Sequence, residues 1–463
     1  MIEVFNYNLF TIRSLFGDKE ISENKKLKFI CTSSTEVKPN TLFVPLRGNR
    51  DGHEFIPDAL SRGASAFLSE IDHPILKELS FAEIQKAIFV SDTLSALGKL
   101  ASFHRNRFAP LIIGITGSSG KTTTKELMGL IVRQIAGNQL VVTEKNYNNE
   151  IGVPFTIFRI NENTKIVVCE MGMNHKGEIS RLSAMVKPDY GLITNVGPCH
   201  IENLGSLENI AHAKSEIIDG IPNFGVIFIP EKVSYRKIFQ EKAKKKNITV
   251  KTFSIKNNPN IKIEEILPEG FKLNLLNQHF FWKIPGEKIL ENITGVLSLA
   301  RDIKISPEKI LKGLSSYKAS DKRFVIEKSN YKIINDTYNA NPDSMVSSLI
   351  ALKQISADTP YYAILGDMKE LGKFSKSYHS ELGEFCKSIE LNGLISFGID
   401  SKWITKSFYS TKKDLNLNHF IDSSESIEKL ILYIKSIVPK GSYILIKGSR
   451  SMKMERIVEG LKH

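Results

Sequence analysis

The chain has 463 residues, 41% hydrophobic and 24% charged, with a formal net charge of +13. That length suits about three domains with ample material for buried cores, and the composition excludes a disordered or low-complexity chain. No apolar run approaches the ~20 residues that span a bilayer, and the start at Met1 lacks the basic-then-apolar order of a signal peptide. Cys31, Cys169, Cys199 and Cys386 have neither metal spacing nor disulfide density, so a cytoplasmic protein is expected.

The positive charge admits nucleic acid, an anionic membrane surface or small phosphorylated ligands. Its densest cluster, Lys242, Lys244, Lys245 and Lys246, has no interleaved aromatics or glycines and reads as a solvated helix face. No nucleic-acid partner is expected.

In chain order, the first hundred residues read as a small α/β module. Thr41 to Gly48 is strand-like, Asp51 onward turns into a helix, and Gly63 to Leu68 is extended again. Ser91 to Arg105, with Leu94, Leu97, Leu100 and Ala101 apolar, predicts a helix. Leu111 to Ile115 then has the β-branched content of a buried strand, followed by Gly117-Ser118-Ser119-Gly120 and a helix opening Lys121-Thr122-Thr123. Strand, glycine loop, lysine plus hydroxyl and helix form a phosphate cradle. Glycines let backbone N–H groups approach the anion, Lys121 reaches the terminal phosphates, and Thr122 is placed to hold Mg²⁺. The loop is the short form Gly-x-x-Gly-Lys-Thr-Thr and predicts a nucleoside triphosphate site.

Beyond it, Asn146-Tyr-Asn148-Asn149 is either a polar ligand loop or a plain turn. Strand Ile166 to Cys169 ends on Glu170, where a metal-binding acid belongs beside a P-loop strand. Strand Tyr190 to Gly197 delivers His200, which reads as a ligand or as a satisfied structural histidine. Leu207, Ile210, Ile217, Ile218 and Ile221 make a helical apolar stripe, and Lys214 falls within it. A desolvated lysine has a depressed pKa, and its neutral amine can take up CO₂ to become a carbamate; snorkelling is the alternative. From about residue 225 to 285 short β-patterned segments dominate, then helices Leu290 to Arg301 and Pro307 to Leu314. Tyr317 to Arg323 reads as a linker. The remainder alternates strand and helix as a doubly wound α/β unit, with polar loops at Asn335–Asp343, Gly366–Gly372 and Lys447–Arg450.

Taken together, Gly117-Ser-Ser-Gly-Lys-Thr-Thr, Asn146-Tyr-Asn-Asn-Glu-Ile-Gly-Val-Pro, Glu170-Met-Gly, Asn195-Val-Gly-Pro-Cys-His, Ala213-Lys-Ser-Glu, Asp336-Thr-Tyr-Asn-Ala-Asn-Pro-Asp-Ser and Lys447-Gly-Ser-Arg-Ser-Met resemble the Mur ligase family over essentially the whole chain. The Tyr338-Asn-Ala-Asn-Pro string and Leu365-Gly-Asp-Met-Lys-Glu-Leu-Gly resemble the branch that joins D-alanyl-D-alanine to UDP-N-acetylmuramoyl-tripeptide with ATP. The resemblance implies an α/β, three-domain architecture: 1–108 binding the UDP substrate, a central P-loop ATPase domain at 109–318, and a Rossmann-like 319–463 that binds D-Ala-D-Ala and closes on ATP. It implies Mg²⁺ on Thr122, Glu170, His200 and carbamylated Lys214. It further implies ATP contacts from residues 117–123, Asn292, Arg323 and Asp336. Asn148, Asn149, Tyr338, Asn339 and Asn341 are implied as substrate contacts, as is Ser34, which stands in Ser33-Ser34-Thr35 where the family usually has Asp-Ser-Arg. Catalysis would rest on Lys121, Lys214 and Arg323, in a monomer. Folylpolyglutamate-type ligases, and a P-loop switch without an amino-acid acceptor, remain alternatives at this point.

Overall fold

A computed structural model describes residues 2–18, 25–319, 322–409 and 418–462. Ser320 and Asp321 of the expected linker lie outside the described residues. The first sheet runs β1 (Ile2–Asn8), β2 (Lys26–Cys31), β3 (Thr41–Phe43), β4 (Ala64–Glu70) and β5 (Ala87–Val90) in that order, parallel except for the β1/β2 pair. β3 is shorter than the stretch expected from sequence. Val44 still donates its N–H to the Cys31 carbonyl at 2.8 Å, but Pro45 has no N–H with which to continue the ladder.

The central sheet holds β6 (Leu111–Thr116), β7 (Leu140–Val142), β8 (Ile166–Glu170), β9 (Tyr190–Ile193), β10 (Val226–Pro230) and β11 (Thr249–Phe253). Its order is β11-β10-β9-β6-β8-β7, all parallel. β6 and β8 are apolar on both faces, as strands covered by helices on each side must be. The helix Lys121–Ala136 follows β6. The antiparallel trio β12 (Ile261–Leu267), β13 (Gly270–Leu275) and β14 (Gln278–Trp282) precedes helices Glu287–Asp302 and Pro307–Ser315, which pack back on that helix. The approach is close enough that a Cβ on Gly313 would lie 2.6 Å from Ile131 Cα. The region 225–285 is less purely β than its pattern, because helix Arg236–Lys245 stands between β10 and β11. On that helix Lys244 and Lys245 are exposed, while Lys246 donates to the carbonyls of Ile218, Asp219 and Ile221.

The last sheet is ordered β15-β16-β20-β17-β18-β19, from β15 (Val325–Lys328), β16 (Lys332–Asn335), β17 (Tyr361–Gly366), β18 (Gly393–Phe397), β19 (His419–Phe420) and β20 (Tyr443–Lys447). Only β15 is antiparallel to its neighbour. The edge strands β15 and β19 and helix Lys402–Phe408 are additions to the sequence reading, being too short to show a period.

The first unit is bound tightly to the second. Phe5 meets Phe158 edge-on at 5.3 Å, and Tyr7 Oη and His104 Nδ1 lie 2.8 Å apart. His104 Nε2 lies 2.8 Å from the Ile160 carbonyl oxygen, and burial lowers the pKa of this imidazole.

Candidate active site

β6 ends in the middle of its sheet, between β8 and β9, so three loops meet at its carboxyl end. The glycine loop needs glycine twice. Gly117 has φ 151°, and a Cβ there would lie 1.9 Å from Thr194 Oγ1; Gly120 has φ 76°, and its Cβ would lie 2.7 Å from Asn292 Oδ1. Asn292 therefore rests against the loop from the helix Glu287–Asp302. Asn195, after β9, shapes the loop from the other side. Its Oδ1 accepts from the N–H groups of Ser118 at 3.0 Å and Ser119 at 2.8 Å, and its Nδ2 donates to Ser119 Oγ at 2.6 Å. Ser118 Oγ donates to the Gly197 carbonyl at 2.9 Å. Lys121 folds over the loop and donates to the carbonyls of Gly117 at 2.7 Å and Ser118 at 3.3 Å.

At the end of β8, Glu170 is 1% exposed. Its Oε1 accepts from Thr122 Oγ1 at 3.2 Å and Asn148 Nδ2 at 2.7 Å, while its Oε2 has no partner among the described residues. An orphaned buried carboxylate oxygen beside a threonine hydroxyl fits a hard divalent cation. Lys214 is fully buried on the helix Leu207–Ser215, and its Nζ likewise has no partner. Burial pushes its pKa down to about 8; the charge of Lys121 lowers it further, against Cys199, which raises it. A buried, unpartnered amine whose pKa is lowered gives up its proton more readily than an exposed lysine, which suits carbamate formation, and its full burial does not suit snorkelling. Lys214 is not among the residues that line the cavity, and its stripe is split at Glu216 into helices Leu207–Ser215 and Ile217–Gly220. The Glu216 carboxylate accepts from the N–H groups of Gly177 and Ser180.

The third sheet presents the ends of its adjacent strands β16, β20 and β17 to the same space. Lys447 Nζ pairs with Asp336 Oδ2 at 2.6 Å and donates to the Asn339 carbonyl at 3.0 Å. Asp336 also accepts from Ser348 Oγ at 2.5 Å and the Phe324 N–H at 3.2 Å. Arg323 stacks over the Tyr338 ring at 3.9 Å. His200, at φ 54°, faces the Glu370 carboxylate across the seam between the second and third units.

Together these surfaces enclose a cavity of about 520 Å³. It gathers Ser118, Ser119, Gly120, Lys121, Thr122 and Thr123 with Asn148, Glu170 and His200, and adds Arg323, Asp336, Tyr338, Asn339 and Asn341. Two expected substrate contacts do not reach it. Asn149 is exposed and engaged locally, its Oδ1 accepting from the N–H groups of Ile151 and Gly152 at the start of helix Gly152–Phe158. Ser34 lies in the first unit, buried and hydrogen-bonded to Asp58. Sequence reading passed over Asn195, Lys447 and Glu370 as individual site residues. Lys447 and Glu370 belong to strand-end loops that were themselves noticed, and Asn195 opens the string Asn195-Val-Gly-Pro-Cys-His, which was noticed without a role for the asparagine itself.

Three profiles match this chain: "Mur ligase family, catalytic domain" over residues 26–105, "Mur ligase middle domain" over 115–300, and "Mur ligase, glutamate ligase domain" over 322–450. The chain is 33% identical to the UDP-N-acetylmuramoyl-tripeptide–D-alanyl-D-alanine ligase of Bacillus subtilis, with 93% of this chain and 92% of that protein covered. It belongs to the Mur ligase family. The corresponding Escherichia coli ligase is 31% identical, over 94% of each chain. Among solved structures of the Mur ligase family, MurF from Acinetobacter baumannii superposes with a TM-score of 0.86 at 28% identity, covering 99% of both chains. MurF ligase from Thermotoga maritima in complex with ADP gives 0.77 at 28% identity, covering 94% of this chain and 96% of that one. As a Mur ligase this protein is an ATP-dependent enzyme that forms amide bonds. No helix among the described residues is long and apolar enough to cross a membrane.

Proposed function

We infer that this Mur ligase joins D-alanyl-D-alanine to UDP-N-acetylmuramoyl-tripeptide in cytoplasmic peptidoglycan precursor synthesis, through an acyl phosphate. One observation carries the reading. A phosphate loop from the central sheet and the polar loop Asp336–Asn341 of the third sheet line a single cavity, in a chain similar throughout to ligases named for that reaction. We divide the chain accordingly into 1–108 for the UDP substrate, 109–318 for ATP and 319–463 for the dipeptide and for closure over ATP.

A carboxylate resists attack by an amine because oxide is not a viable leaving group. One oxygen of the tripeptide carboxylate therefore attacks the γ-phosphorus of ATP, and ADP leaves. The dipeptide amine then attacks the acyl carbon, the tetrahedral adduct expels phosphate, and the nitrogen loses its proton. Phosphoryl transfer between anions needs positioning and cationic clamps more than a covalent catalyst. Lys121 and the loop N–H groups hold the β- and γ-phosphates, and Arg323 reaches them from the third unit. Asp336 fixes Lys447 in the cavity wall, and Asn292 and the loop at residues 117–123 seat the nucleotide.

The residues fit Mg²⁺: Thr122 and Glu170 would hold one ion, and His200 with carbamylated Lys214 another. Bound there, Mg²⁺ neutralises charge on the transferring phosphoryl group. Tyr338, Asn339 and Asn341 serve the peptide side. The test is ADP release with UDP-muramoyl-tripeptides carrying diaminopimelate or lysine, each with and without D-Ala-D-Ala, and with a folate acceptor as control. Dipeptide-dependent release with one tripeptide is expected. Release with folate, or without any amino-acid acceptor, would overturn the reading.

A further inference from the structure

Glu370 has no part in the chemistry described so far. It sits in the loop after β17, on the cavity wall, with its side chain 50% exposed. The other carboxylates on that wall among the described residues are committed. Glu170 is 1% exposed and bonded to Thr122 and Asn148, and Asp336 is held by Lys447, Ser348 and the Phe324 N–H. Among the described residues the one side-chain partner of Glu370 is His200 of the central unit.

Its backbone is unusual. Glu370 has φ 63° and His200 has φ 54°, so both sides of the contact adopt a left-handed conformation that non-glycine residues seldom take. The loop is pinned to hold it. The Glu370 carbonyl accepts from the Glu202 N–H at 3.1 Å, the Lys369 N–H donates to Ser449 Oγ at 2.8 Å, and the Met368 N–H donates to His379 Nε2 at 3.0 Å. Strain kept in place by so many partners points to a function at the side chain it presents.

Most of the reacting groups that enter this cavity are anionic: nucleotide phosphates and the acceptor carboxylate. An accessible carboxylate repels them, so Glu370 is misplaced unless something cationic also comes. Mg²⁺ is cationic too, but other residues of the central unit are assigned to it, and the amino end of the incoming dipeptide is the group left without a carboxylate. We propose that Glu370 receives the amino group of the dipeptide substrate and orients it towards the acyl carbon. The side chain approaches from the third unit and its partner His200 from the second, so the amine subsite is complete only with the two units docked. This inference rests on the ligase reading above.

The test compares wild type with Glu370→Gln and Glu370→Asp, measuring KM separately for dipeptide, ATP and acceptor. N-propionyl-D-alanine, which is D-Ala-D-Ala with its amino group replaced by hydrogen, serves as a competitive inhibitor. A charge-assisted hydrogen bond lost from the amine should raise the dipeptide KM of Glu370→Gln about 10-fold or more. The inhibition constant of the deamino analogue, and KM for ATP and acceptor, should stay within about 2-fold, and Glu370→Asp should fall between. An unchanged dipeptide KM overturns the inference. So does an equal loss for the deamino analogue, or a shift that appears only in the ATP or Mg²⁺ requirement. Wild-type enzyme that does not use D-Ala-D-Ala at all would instead overturn the ligase reading, and the two failures are thereby told apart.

Discussion

The charge of Lys121 bears on Lys214, and the fold treats the two oppositely: one is bent over a glycine loop, the other fully buried. Lys121→Ala should lower ligation turnover by about 10²–10³-fold, the scale on which charge stabilisers of developing anions act; near-normal turnover at saturating ATP would sink the phosphate-clamp role. Lys214→Ala should lose activity and regain part of it with formate or acetate, whereas Lys214→Arg, which keeps the wrong sign of charge, should stay inactive. The pH dependence has a definite sign. Burial has lowered the Lys214 pKa to about 8, so the folded protein holds the charged form at a cost below that value, and the cost fades as pH rises towards the usual lysine range. Carbamate formation consumes neutral amine, so activity in CO₂-depleted buffer should fall as pH drops below about 8, and bicarbonate should restore it. Indifference to bicarbonate at pH 7 would exclude the carbamate. In the first unit, burial raises Asp51, but the His53 N–H and the rings of His53 and His73 outweigh it and leave a pKa of about 2. Asp51 thus contributes stability that is complete above the normal aspartate range and lost as pH falls through about 2. Solvent screens this partly exposed group, so Asp51→Asn should cost about 1 kcal/mol or less at neutral pH, and less in acid, by denaturant titration.

At the scale of elements, helix Pro342–Ser356 starts with a reciprocal cap: Asn341 Oδ1 accepts from the Ser344 N–H at 2.9 Å, and Ser344 Oγ accepts from the Asn341 N–H at 3.0 Å. Asn341 also lines the cavity, so cap and ligand roles need separating. Asn341→Asp keeps the capping oxygen and should leave the melting temperature nearly unchanged while raising the dipeptide KM; Asn341→Ala should lose about 1 kcal/mol of stability as well. The same example shows how far sequence reaches. β6, its glycine loop and the following helix were legible because local chemistry alone dictates them. Lys214 was legible because a cation inside an apolar stripe contradicts the solvent-facing norm. For Asn149 sequence left a ligand loop and a plain turn open, because a capping asparagine and a ligand asparagine carry the same amide; the fold shows its Oδ1 accepting from N–H groups at the start of a helix. Glu370 escaped notice because its value lies in a left-handed backbone and a partner 170 positions earlier, at His200. β15 and β19 exist only as edges added to strands already formed.

On the scale of the whole molecule, the first two units share a buried aromatic junction, and the third meets the second along a seam that includes His200 with Glu370, Gly197 with Asp343 and Gly286 with Ala351. We expect ATP and acceptor to enter a form opened along that seam, and closure to bring Arg323 to the phosphates. Small-angle scattering should show a smaller radius of gyration with a non-hydrolysable ATP analogue plus acceptor; an unchanged radius would count against closure. Asp343 is partly buried at this junction, and desolvation raises its pKa; its Oδ2 lies so near Gly197 that a Cβ there would stand 1.7 Å away. A methyl group at that point therefore fits only if the Asp343 carboxylate swings aside. Gly197→Ala would act as a shim, letting nucleotide bind normally while jamming turnover, and an inhibitor fragment lodged at that point would exert leverage out of all proportion to the surface it covers.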